Sequence, residues 1–153
     1  MQVSLKEVFN DLESKRQLCY QTLMDLLPEY IYREKRYQIH FSVTLIYSQD
    51  HLATCERGLR PLLRKTDKLL CITPHLLCAT FDATNTSSYV KAAENLHETL
   101  KKIDYQHRYF IATVSSQEFD ENYLDMFNRL YERLLYSIEH QLCNIVNFED
   151  YII

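Results

Sequence analysis

The spacing of apolar residues changes period several times along the chain, and each change marks an element. Leu5, Phe9, Leu12, Arg16, Cys19, Leu23 and Leu26 recur at alternating spacings of four and three, a heptad seam with one polar break at Arg16. Ser4-x-x-Glu7 reads as a capping box that opens this helix. Pro28 disfavours helical geometry just before it, so the helix is predicted to end near Leu26. Two roles fit the seam: a dimerising helix, or an amphipathic helix lying on its own domain. Residues 29–38 are polar and aromatic, with Arg33, Glu34, Lys35 and Arg36 together, and read as a solvated connection.

From residues 40 to 47 apolar and polar positions alternate among β-branched and aromatic residues, which predicts a strand. Leu52, Cys55, Leu59 and Leu62 return to helical spacing, but Gly58 and Pro61 interrupt it, so a short or kinked helix is expected. Two apolar runs, Lys68 to Ile72 and Leu76 to Phe81, flank Thr73-Pro74-His75 and read as a hairpin. Turn and cap residues fill 82–88; Val90, Ala93, Leu96, Leu100 and Ile103 then share one helix face. Arg108 to Ser115 reads as a strand. Asp120 is the expected N-cap of a long helix striped by Tyr123, Phe127, Leu130, Leu134 and Ile138, and Cys143 to Phe148 is expected to add a last strand. The order predicts an α/β (α+β) domain built on the split βαβ pattern of ferredoxin-like sheets, with an N-terminal helix in front. The expected division is 1–38, helix and connection, and 39–153, the domain proper. Order alone does not specify function.

Composition narrows the classes. The chain has 153 residues, 46% of them apolar, which suits one domain with an ordinary core. One Gly and three Pro argue against disorder. A net charge of −4 gives no strong pull toward nucleic acid or anionic lipid. No apolar run approaches the roughly 20 residues of a membrane span, and the first residues lack a basic start followed by an apolar stretch. The expectation is a cytoplasmic protein with no membrane insertion and no nucleic-acid partner. Cys19, Cys55, Cys71, Cys78 and Cys143 are odd in number and contain no Cys-x-x-Cys, which predicts reduced thiols rather than disulfides or zinc. The six His are scattered without metal-ligand spacing, and Gly58, the sole glycine, excludes a Walker or dinucleotide loop. Ser115-Ser116 lacks the small neighbours of a nucleophile elbow. No catalytic residue, metal ligand or cofactor is assigned.

One stretch carries a sharper signal. Arg64-Lys65-Thr66-Asp67 precedes Thr73-Pro74-His75-Leu76-Leu77 by five residues, and Leu77 to Asp82, Ala92-Ala93-Glu94 and Ile111 to Ser115 follow in order. This set resembles a GGDEF-type domain, the family that makes cyclic di-GMP, over residues 39–150, with the catalytic signature lost. The resemblance implies a nucleotide-cyclase-like variant of the ferredoxin-like sheet. Cyclases of the family bind two divalent metals through carboxylates at the first strand's end and within the signature; hard cations of this kind need oxygen ligands. At those places this chain has Tyr47 or Ser48, then His75 and Leu76, with Asp50 displaced. Thr73 and Pro74 replace the two glycines, and Pro74 also removes an N–H that a phosphate could use. The segment from Tyr47 to Asp67, which carries guanine-binding residues in active members, is markedly shorter. The resemblance therefore implies a signalling or regulatory module without cyclase activity, acting through a protein partner or a homodimer built on the N-terminal helix.

Two alternatives remain, an active diguanylate cyclase and, ahead of it, a ligand site. In catalytic relatives the Arg-x-x-Asp motif grips cyclic di-GMP. Arg64 offers a bidentate fork to a phosphate or guanine edge, Asp67 accepts from guanine N–H groups, and Arg60 and Lys65 add positive potential. The same two residues also fit a local salt bridge or a turn cap. Twelve Tyr and no Trp supply amphipathic rings suited to interfaces.

Overall fold

The computed structural model describes residues 4–50, 52, 55–104 and 108–150. Helix α1 covers Leu5–Leu26, and the Ser4 hydroxyl accepts from the Glu7 amide at 3.2 Å as the spacing predicted. Residues 29–38 are not a connection: Pro28–Tyr37 is a second helix, α2. Pro28 ends α1 but also sits at the first turn of α2, where its missing N–H has no intrahelical partner to lose and its fixed φ suits the helix. Gln38, at φ 57°, closes α2 in the left-handed conformation.

Strand β1 (Ser42–Tyr47) is followed by a four-residue helix α3 (Glu56–Leu59) and a 3-10 turn, Arg60–Leu62, which Pro61 shapes. The hairpin forms as β2 (Lys68–Thr73) and β3 (Leu76–Phe81), then α4 covers Tyr89–Ile103 and β4 covers Phe110–Ser115. A second 3-10 turn, Ser116–Phe119, leads to α5 (Tyr123–Glu139), and a two-residue strand β5, Val146–Asn147, ends the sheet. Asp120 does not cap α5. It adopts φ 46° at the end of the 3-10 turn, and Asn122 caps instead, accepting from the Asp125 amide at 3.1 Å.

The sheet order is β2-β3-β1-β4-β5. β1 lies antiparallel to both β3 (Leu45 opposite Cys78) and β4 (Leu45 opposite Ala112), and β5 joins β4 in parallel. This is the expected α+β arrangement with a mostly antiparallel sheet.

Side-chain alternation divides the core in two. Val43, Leu45, Tyr47, Leu76, Cys78, Ala112 and Val114 face α1, α2 and α5. Ile46, Leu77, Ala79, Phe81 and Ile111 face α3 and α4. Gly58 lets α4 approach α3: a Cβ there would lie 2.5 Å from Cδ1 of Ile103.

The seam of α1 faces its own domain. Leu12, Cys19 and Leu23 are buried in the same cluster as α5 and the sheet, while Leu5 is exposed. Arg16, the polar break, pairs with Glu132 at 2.9 Å and lies 5.1 Å above the Tyr131 ring, both on α5. The Tyr131 hydroxyl donates to the Leu12 carbonyl. The seam thus reads as the amphipathic alternative. No helix among the described residues is long and apolar enough to cross a membrane.

Candidate functional site

The hairpin turn and the end of β1 are bound to each other. The Ser48 amide donates to the His75 carbonyl at 3.0 Å, and the Leu52 amide donates to the Pro74 carbonyl at 2.7 Å. His75 Nδ1 lies 3.1 Å from the Ser48 carbonyl oxygen, so the ring folds back rather than pointing into solvent as a hairpin tip would suggest. The Thr73 hydroxyl accepts from the His75 amide at 3.1 Å. Leu76 is 1% exposed and belongs to the core under α1 and α5. Asp50 is exposed, its amide donating to the Ser48 hydroxyl at 3.2 Å. An open cavity of about 610 Å³ lies beside this end of β1, lined by Tyr47, Asp50, Arg108, Gln141 and Cys143 among others.

Arg64 and Asp67 are brought together, and the contacts are largely internal to their loop. Asp67 Oδ2 accepts from the Arg64 amide at 2.9 Å and from Arg64 Nε at 3.4 Å. Its other oxygen accepts from the Asp82 amide at 2.8 Å. The Asp67 side chain is 3% exposed, whereas that of Arg64 is 56% exposed. Arg64 Nη2 donates to the Asp82 carbonyl. Arg60 stands apart from this pair: it turns to Glu56, one helical turn earlier, and forms an ion pair there.

The same loop is gripped by α2. The Tyr30 hydroxyl donates to the Thr66 carbonyl at 2.5 Å, and Arg33 Nη2 donates to the Asp82 carboxylate at 2.9 Å. The Arg33 guanidinium and the Lys68 ammonium lie 5.0 and 5.8 Å from the Tyr30 ring centre. Burial, and after it the nearby Asp67 and Asp82 carboxylates, push the Tyr30 phenol well above its ordinary pKa.

Two further charged groups were not singled out by sequence. Glu34, on α2, is 5% exposed at its side chain and faces His40 Nδ1 at 2.9 Å, the Tyr123 hydroxyl at 2.7 Å and the Ser116 hydroxyl. It ties α2 to the start of β1, the end of β4 and the start of α5. Arg133, on α5 and 3% exposed, donates to Asp150 at 3.0 Å, Glu118 at 3.1 Å and the Thr113 carbonyl at 2.8 Å. The apolar stripe of α5 steps from Leu130 to Leu134 without passing through Arg133, and Glu34 is hidden in a charged run.

No protein-family model matches the sequence, and no curated protein matches it. Solved structures do match, among them GGDEF domains and a diguanylate cyclase. The GGDEF domain of YfiN (TpbB) from Pseudomonas aeruginosa superposes with a TM-score of 0.69 at 9% identity, covering 86% of this chain and 96% of that one. The GGDEF domain of DgcB from Caulobacter crescentus, in complex with c-di-GMP, gives 0.63 at 10% identity, covering 84% and 86%. The diguanylate cyclase SiaD from Pseudomonas aeruginosa, in complex with its activator SiaC, gives 0.68 at 12% identity, covering 84% and 57%. The fold is the GGDEF cyclase-like fold.

Proposed function

We propose that this chain is a non-catalytic regulatory module of cyclic di-GMP signalling that acts through protein contacts in the cytoplasm. The observation that carries the reading is the closed turn at residues 73–76. Ser48, Leu52 and His75 use up backbone groups around that turn on one another, and Leu76 is packed into the core. Phosphate cradling needs free N–H groups, and binding hard divalent cations needs oxygen ligands. A turn bonded to the end of β1, with His75 and Leu76 at the acidic positions of the family signature, serves neither need. The fold supports placement in this signalling system, and the SiaD–SiaC complex is a precedent for regulation through a protein partner. In this reading residues 39–153 are the GGDEF-like unit and residues 1–38 the regulatory arm, through which a partner or a second copy engages it.

A second reading keeps cyclic di-GMP as a ligand. Arg64 is held at its base by Asp67 yet more than half exposed, so its guanidinium could reach a phosphodiester. Cyclic di-GMP in the DgcB complex makes that ligand the natural probe.

The purified chain incubated with GTP and Mg²⁺ or Mn²⁺, analysed by chromatography, tests the first reading. Absence of cyclic di-GMP formation is expected, and sustained product formation would overturn it. Calorimetric titration with cyclic di-GMP tests the second; binding lost on Arg64→Ala would make the chain a receptor.

A further inference from the structure

Asp82 lies immediately after β3, and three contacts from two directions meet on it. Its carboxylate holds Arg33 of α2 at 2.9 Å. Its amide donates to Asp67 at 2.8 Å, and its carbonyl accepts from Arg64 Nη2. The next residue, Ala83, is held at φ 52°, and Thr84 bonds to the start of β1 through its amide, which donates to the His40 carbonyl at 3.0 Å. The turn is thus anchored on its far side, and movement at Asp82 passes to Arg33 or to Arg64 and Asp67 rather than along the chain.

The α2 side of this junction is incompletely satisfied. Arg33 Nε is buried and has no hydrogen-bond partner among the described residues. An orphan donor of this kind weakens the contact it belongs to. On the other side, the Nε–Nη2 edge of Arg64 is committed to Asp67 and the Asp82 carbonyl, so a ligand that takes that edge as a bidentate fork must displace both. Tyr30, one helical turn before Arg33, adds a second link through the Thr66 carbonyl.

We infer that Asp82 couples α2 to the Arg64–Asp67 loop, so that drawing Arg64 away loosens α2, and displacing α2 frees Arg64 for an anionic phosphodiester. The arm and the loop then open and close as one unit, and a partner that moves α2 changes what Arg64 can bind. By linkage the effect is reciprocal. The ligand half of the inference rests on the receptor reading above; the mechanical half does not.

Hydrogen exchange on the full chain, read by mass spectrometry, tests the mechanical half without any ligand. Arg64→Ala should speed exchange of the α2 amides about 5-fold or more, and Arg33→Ala should do the same for residues 64–67. Arg36→Ala, on the exposed face of α2, is the control and should leave 64–67 unchanged. Rises confined to the element carrying the substitution overturn the coupling, as does an Arg36→Ala effect equal to that of Arg33→Ala. Titration with cyclic di-GMP separates the two halves. No binding to the wild-type chain ends the receptor reading and with it the ligand half. Binding that tightens several-fold in Arg33→Ala supports the ligand half, and unchanged or weaker binding overturns it.

Discussion

Ser48 and His75 hold each other twice: the Ser48 amide donates to the His75 carbonyl at 3.0 Å, and His75 Nδ1 lies 3.1 Å from the Ser48 carbonyl oxygen. This double contact fastens the β2–β3 turn to the end of β1 and places Leu76 inward, opposite Tyr47. Placing an acidic residue there should therefore not create a metal site. Leu76→Glu puts an unpaired carboxylate at a position that is 1% exposed. We expect a loss of about 3–5 kcal/mol, the cost of an uncompensated buried charge, measured by urea denaturation. A variant of wild-type stability that also produced cyclic di-GMP from GTP would show that the turn can open.

The period changes in the sequence located β1, the hairpin, α4 and β4 because each carries a clean alternation or a clean stripe. They missed α2 because Pro28 carries two meanings, stop for one helix and first turn of the next, and the charged run after it hides the buried Tyr30 and Glu34. Asp120 is the cap that the sequence predicts for α5, but the 3-10 turn at Ser116–Phe119 sets the entry to the helix two residues later, at Asn122. Arg64 and Asp67 were legible as a pair because they are close in sequence. Their partner Asp82 was not, since that contact spans the whole hairpin.

The two residues of that pair should differ sharply in their effect on stability. Asp67→Ala leaves the Arg64 and Asp82 amides without an acceptor, each costing about 1–3 kcal/mol if it stays buried. Arg64→Ala removes an exposed side chain and should cost less than about 1 kcal/mol globally. Thermal unfolding of both variants checks this. Equal losses would mean that Arg64 contributes more to the fold than its exposure suggests.

On α1, Leu12 and Leu23 are 1% exposed and packed within their own domain. Leu12→Ala and Leu23→Ala should each cost about 2–5 kcal/mol by leaving cavities, with no change in the molar mass measured by light scattering. If either substitution instead split a wild-type dimer at little cost in stability, the seam would be intermolecular.

Burial also predicts how the protein fails at high pH. Burial, followed by the Glu118 charge, pushes the Tyr89 phenol from 10.0 up to about 12, while the Arg133 guanidinium partly opposes this. Burial raises the phenols of Tyr109, Tyr123 and Tyr131 further, with the hydrogen bond to Glu34 adding to the effect on Tyr123. In each case the folded chain holds its proton to higher pH than the unfolded chain does. The associated stability is therefore complete below the unfolded value of 10.0 and declines as pH rises toward the folded value, near 12 for Tyr89. Ionising these rings should thus require unfolding. Phenolate absorbance from the buried tyrosines and loss of helical circular dichroism should appear together, as one cooperative transition between those pH values. Tyr131→Phe removes one ionisable ring and should make the remaining stability less steeply dependent on pH there. It also deletes the bond to the Leu12 carbonyl, so the neutral-pH stability of the variant sets its own baseline. Phenolate absorbance that reached its full amplitude while the helices remained intact would mean that water reaches these hydroxyls in the native state.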